Sequence, residues 1–349
     1  MILQPGALRS DPPLAELYGR ERGLGAPLGG LVWLADTLVV ATGDGKLSTF
    51  DGKLAPGPAH DAHEGAVLSL VTDPAGRAAL SGGDDGRVLR LAPGAAPEVV
   101  VAVPGKWIDH VALAGSGALA WSEGRKAIIQ KTDGSRHTLE HLSTVGGLAF
   151  DADGRRLAVA HYNGASVWTV DAGKPQSKVY GWKGSHLGAC FSPNGKFLVT
   201  IMQENSLHGW RLADGANMRM AGYPAKPKSL SWSANGLWLA SSGAEGGVLW
   251  SFKGKDGPMG KNAEVLGQRP ARVTAVAWHP KSEVLATGYD DGGLFLARRA
   301  DAGLLLVRRP KAGGAVAALA WGPDGRGLAY GTADGIVGTV DLATAAAGR

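Results

Sequence analysis

Histidines and carboxylates are the residues of this 349-residue chain whose spacing invites a chemical reading. His60-Asp61-Ala62-His63 sets two imidazoles around a carboxylate in a loop, and His137 and His141 bracket Thr138-Leu139-Glu140. Both residue types bind zinc and other transition metals. His137 and His141 fall on an expected outer strand, where residues four apart share a face but stand about 14 Å from each other, too far for one ion. Asp73-Pro74, Asp153-Gly154 and Asp324-Gly325 place carboxylates at turns, where an Asp side chain bonds its own backbone. The chain has no nucleophile elbow, P-loop, C-x-x-C or H-E-x-x-H, so the standard catalytic motifs fail. The expectation is no catalytic residue, no cofactor and no bound metal: not an enzyme.

Composition narrows the setting. No run of 18 apolar residues occurs, so no membrane span or membrane partner is expected, and no basic-then-apolar secretory start is visible. The lone cysteine, Cys190, rules out an internal disulfide. Together these favour a reducing, cytoplasmic setting and a monomer. Charge is uneven. Residues 1–175 hold 16 Lys and Arg against 19 Asp and Glu, a net of −3, whereas residues 176–349 hold 20 against 12, a net of +8. The basic clusters Lys226–Lys228, Arg298-Arg299 and Arg308–Lys311, at a pI of 9.3, come without a nucleic-acid reader motif. They read as solvated loops and outer strands, or as one side of an acidic partner's docking surface.

The elements that must position any site are short strands. Residues 316–341, VAALAWGPDGRGLAYGTADGIVGTVD, read as three: Val316 to Trp321, Leu328 to Thr332 and Ile336 to Val340. Pro323-Asp324-Gly325 is one turn, and Asp334-Gly335 is a hairpin turn of the primed type. The pattern recurs at 29–51, 63–91, 107–130, 145–171, 186–210, 227–252 and 273–297. From Gly76 the first turns step by 41, 37, 41, 41, 46 and 43 residues. The linkers between copies mostly hold one more alternating segment. Four strands per period of about 40–45 residues is the signature of a propeller blade. The 54 glycines, roughly twice the usual share, mark its corners.

VAALAWGPDG at 316–325 and LGACFSPNG at 187–195 resemble WD40 repeats, and His63-Glu64-Gly65-Ala66-Val67 resembles the Gly-His box of that family. The Trp-Asp ending is mostly degraded: Asp51, Asp171 and Asp341 keep the acid and Trp210 keeps the tryptophan. That loss weakens, in most blades, the His–Asp–Ser/Thr–Trp network implied by the resemblance. The implied fold is an all-β WD40-like propeller of eight four-stranded blades (alternatively seven) over residues 27–345. Residues 1–26 then donate a closing strand to the last blade, with Leu14 to Leu24 as the candidate, and 346–349 are a tail.

Trp33, Phe150, Phe191, Trp232, Trp278 and Trp321 share one register at the end of the inner strands and read as wedges between blades. Residues just before each inner strand are expected to rim its top end: Pro27, Ala66, Trp107, Thr144, Ser185, Lys226, Arg272 and Ala315. Adding the aromatics of nearby loops gives the candidate partner-binding set Trp107, Tyr162, Trp182, Tyr223, Lys226, Arg272 and Tyr289, the residue types that anchor interfaces. The expected function is a scaffold that docks a protein or peptide, acidic with an apolar anchor. The alternatives are an enzyme or small-molecule binder using the channel and, more weakly, a nucleic-acid-associated protein.

Overall fold

The computed structural model describes residues 12–73, 75–171, 173–311 and 314–347. The first eleven residues of the expected closing segment, Pro74 of the first turn in repeat 2, and tail residues 348–349 lie outside them. The strands of the described residues form seven antiparallel sheets, six of four strands and one of six. The alternative count of seven therefore holds for the sheets.

The six-stranded sheet houses two repeats. Its strands Arg156–Thr169 and Ser177–Phe191 are long: the first supplies two arms of repeat 4, and the second ends repeat 4 and begins repeat 5. The first half of Arg156–Thr169 pairs with Gly147–Phe150, and its second half pairs with the start of Ser177–Phe191. The end of that strand pairs with Phe197–Met202. Asn163 and Gly164, at φ +66° and +143°, and Gly184, at φ +109°, bend the two strands between their halves. Repeats 4 and 5 thus keep four arms each, and all eight sequence repeats are accommodated.

The corners fall where the sequence puts them. Gly325 and Gly335 take φ of +78° and +83°, the left-handed conformation that only glycine adopts without strain. In repeat 1 the positive φ falls on Ala35, beside Asp36.

The chain divides into two compact units. One contains 12–42, 47–59 and 223–347. Its inner strands Leu230–Trp232, Val273–Trp278, Val316–Trp321 and Leu28–Leu34 lie side by side in that order. The other contains 43–46 and 60–222, where Val67–Thr72, Val111–Leu113, Gly147–Phe150 and the second half of Ser177–Phe191 do the same. This is the propeller's blade arrangement. The cores lie between blades rather than inside them: Leu80 and Val88 of repeat 2 pack with Val111, Trp121 and Ile128 of repeat 3. The aromatic wedges bridge as expected, since the indole N–H of Trp33 donates to Ala320 O and that of Trp321 to Ala277 O, both at 3.0 Å.

The N-terminal strand is Gly19–Gly23, antiparallel to Ile336–Asp341 from Gly19↔Val340 to Gly23↔Ile336. It is shorter than Leu14 to Leu24. Leu14–Tyr18 is a helical turn, because burying Leu14 beside Leu328, Val340 and Ala345 satisfies that segment without a sheet edge. No described helix is long and apolar enough to cross a membrane.

Candidate functional site

The four inner strands of the second unit enter their sheets in one way. Each places a buried side chain first: Val67, Ile108, Val145 and His186. Backbone bonds pin the entry, with Ile108 N–H donating to Gly83 O at 3.0 Å and Val145 N–H to Gly124 O at 2.8 Å. The next residue is Leu68, Asp109, Gly146 or Leu187. At Leu68 and Leu187 the ladder slips by one residue, a β-bulge. A bulged residue is left unpaired and re-aims its side chain. These four positions line one pocket of about 650 Å³, open on one side.

Its walls come from neighbouring loops. Ser143, Thr144 and Ser185 line it with hydroxyls, and Tyr162 stands at its edge. Ser143 Oγ accepts the Tyr162 N–H at 2.9 Å, holding the tyrosine's backbone. Gly146 is required by the close approach of two blades, because a Cβ there would lie 2.1 Å from His186 O.

Among the lining groups His186 is fully partnered. Its Nε2–H donates to Trp182 O at 3.1 Å, and Nδ1 accepts from the Thr200 hydroxyl at 2.7 Å. Burial lowers its pKa, and that of His110, where the charge of Asp109 opposes the shift without reversing it. Both imidazoles are neutral at pH 7. The half-buried Asp109 carboxylate makes no hydrogen bond or ion pair among the described residues. Nine large apolar side chains are exposed among the described residues, and four of them, Leu68, Trp107, Leu142 and Tyr162, belong to this pocket's wall and flanking loops. No described group of three or more His, Cys, Asp or Glu is placed to hold a metal.

The residues picked from the sequence divide between the units. Trp107, Tyr162 and Trp182 lie in the second and Tyr223, Lys226, Arg272 and Tyr289 in the first. Trp107 and Tyr162 are 65% and 59% exposed. Trp182 is half-buried and stacks on His208, ring centroids 4.1 Å apart and 16° from parallel. Arg272 is exposed, Lys226 half-buried. Tyr223 and Tyr289 correct the expectation of outward loop residues, because both are buried. The Tyr289 hydroxyl donates to Gly267 O, and its ring carries the Arg269 guanidinium at 4.6 Å. Tyr223 OH meets Ser241 Oγ at 2.6 Å and accepts the Trp250 indole N–H at 2.6 Å. Burial pushes its pKa up to about 12.

Asp109, His110 and the bulge position are not marked by the sequence pattern: Leu68 and Leu187 slip out of the ladder, and Asp109 and His110 precede the paired residues Val111–Leu113.

A second polar network decides the family. In repeat 2, His63 Nδ1 lies 3.0 Å from Asp85 Oδ1 and Nε2 lies 2.9 Å from Ser81 Oγ, all three side chains buried or nearly so. This is the His–Asp–Ser part of the network that the resemblance implied, without its tryptophan, and it falls within residues 57–89, which match the family model described as WD domain, G-beta repeat. The chain carries WD40 repeats. A second model, the anaphase-promoting complex subunit 4 WD40 domain, matches residues 276–347. No curated protein matches. Among solved structures, the computationally designed Ika8 protein is similar at 18% identity and a TM-score of 0.73, over 92% of this chain and 98% of that one, a likeness of fold. With the WD40 family in hand, Tyr223–Ser241–Trp250 reads as the repeat 6 version of the network, with tyrosine in place of histidine. In repeat 5 Thr200 stands where Ser81 does in repeat 2, but its partner His186 holds the place of Val67, not of His63.

Proposed function

We propose that this WD40 chain is a non-catalytic scaffold that docks a protein or peptide in the groove where the inner strands of repeats 2–5 begin. The observation that carries the reading is that exposed Leu68 and Tyr162 line one open pocket, with exposed Trp107 and Leu142 in the chain segments that lead into Asp109 and Ser143 of its lining. Exposed apolar side chains grouped in this way mark interaction sites, and Trp and Tyr anchor interfaces through their area. Scaffold blades fix the loops, and the loops carry the recognition. The partner presents an apolar anchor. The acidic partner expected from the charge split is not retained for this groove, whose lining includes one carboxylate and no lysine or arginine.

The test places a photo-cross-linking side chain at Trp107, at Tyr162 and, as control, at Val99, an exposed outer-strand residue. The same protein cross-linked from the first two positions, not from the third, and lost in a Leu68→Asp background, supports the reading. Equal labelling from all three, or none from the groove, overturns it.

A further inference from the structure

Resting on that docking site, we propose that the groove receives the basic side chain of an arginine or lysine in the partner peptide, its charge against Asp109 and its methylene stem along Leu68 and Leu187. All three lining residues occupy the entry position of their inner strands, so they present side chains at equivalent places in repeats 2, 3 and 5, with Gly146 of repeat 4 leaving room between the last two.

Three features of the lining favour a cation. Asp109 is half-buried and its carboxylate is unpaired among the described residues, and an unpaired carboxylate gains from a charge-assisted hydrogen bond. The Thr144 and Ser185 hydroxyls also make no side-chain hydrogen bond there and remain free to accept from N–H groups. The two histidines are neutral and add no positive charge. The lysines nearest in sequence, Lys106 and Lys183, are exposed and not part of the lining, while the Glu204 carboxylate accepts the Ser185 N–H at 3.3 Å and adds to the negative sign. Leucines suit the stem of a long basic side chain, which buries its methylenes while the head finds its charge.

The experiment titrates the full chain with blocked pentapeptides Gly-Leu-X-Leu-Gly, where X is arginine, lysine, citrulline or glutamate, and follows backbone amide shifts. Citrulline has the shape of arginine without its charge. The expected result is shifts at Asp109, Thr144 and Ser185, with the citrulline peptide about tenfold weaker than the arginine peptide and the glutamate peptide weaker still. Asp109→Asn is expected to abolish the difference between arginine and citrulline with the amide spectrum otherwise unchanged. Equal binding of arginine and citrulline, a preference that survives in Asp109→Asn, shifts elsewhere, or no binding by any peptide each overturns the proposal. Cross-linking at Trp107 and Tyr162 that succeeds beside such a result leaves the docking site standing without its cation anchor; failure of both removes both.

Discussion

Arg308 donates through Nε to Glu21 Oε1 at 2.7 Å, joining residues 287 apart in sequence. The arginine side chain is 3% exposed, and its Nη1 donates to Gly292 O at 2.7 Å. Tyr330, fully buried, donates its hydroxyl to the same Glu21 oxygen at 2.8 Å. A strand of five residues, Gly19–Gly23, is therefore held by one carboxylate as well as by its ladder.

Glu21→Ala leaves a guanidinium buried without its counter-charge. Breaking such a pair costs about 3–5 kcal/mol, and the partial exposure of Glu21 sets the expectation at the lower end, about 3 kcal/mol. Urea unfolding measures it, and a loss below about 1 kcal/mol shows the clasp to be no stronger than a surface pair. Deletion of residues 1–25 also exposes the edge of Ile336–Asp341 and is expected to give aggregation or a much lower melting temperature; unchanged stability refutes the role of the strand.

Much of this was legible in the sequence, and the parts that were not share a cause. Turns such as Gly325 and Gly335 show because positive φ restricts the residue type. The helical turn Leu14–Tyr18 was read as strand because five residues hold too few periods to separate 3.6 from 2. The bulge at Leu68 and Leu187 adds a residue without altering the apolar pattern on either side, and Asp109, which precedes the paired residues Val111–Leu113, has no pattern to mark it beside the more conspicuous Trp107. Tyr223 has the look of a loop aromatic in the sequence because replacing the network's histidine by tyrosine keeps the hydrogen bond and erases the motif.

His208 predicts a pH dependence. It is fully buried under Trp182, neither ring nitrogen has a partner among the described residues, and burial, then the charges of His186 and Arg219, push its pKa down to about 3. A histidine of the unfolded chain titrates near 6.5. Between these values the unfolded state holds the extra proton, so stability is full above about pH 6.5 and falls as pH falls, by at most about 1.4 kcal/mol per unit for this group. His186, His110 and His141 are shifted the same way. Glu21 adds its part at lower pH: burial raises its pKa, but hydrogen bonds from Arg308, Lys311 and Tyr330 reverse this and leave it below the ordinary value. Denaturant midpoints at pH 7 and 5 are expected to differ clearly in the wild type and less in His208→Phe. An identical difference in both would remove His208 from the account.

Tyr223→Phe separates network from surface. It deprives the Trp250 N–H of its acceptor in a site closed to water and leaves the Ser241 hydroxyl only its 3.4 Å bond to Val248 O, at about 1–3 kcal/mol. Partner binding in the groove is expected to be unchanged, because Tyr223 presents nothing outward. Lost binding at unaltered stability would restore it to the interface.

Gly146 and Trp107 test whether the groove is built by packing at its floor and by exposed area at its rim. A methyl at Gly146 meets the carbonyl of His186, an atom fixed in the neighbouring strand, so one blade must move. Overpacking of this kind costs about 1–3 kcal/mol, and here it also shifts the strand that carries Ser185 and Leu187. Trp107→Ala removes a side chain that is mostly in water, and its effect on stability is expected to stay within about 0.5 kcal/mol, while it weakens docking through lost contact area. Thermal unfolding and peptide titration on the two variants read the contrast. Gly146→Ala should lower both melting temperature and affinity, and Trp107→Ala affinity alone. If Trp107→Ala instead lowers the melting temperature as far as Gly146→Ala does, the tryptophan is a core residue of its loop and the rim loses its largest anchor.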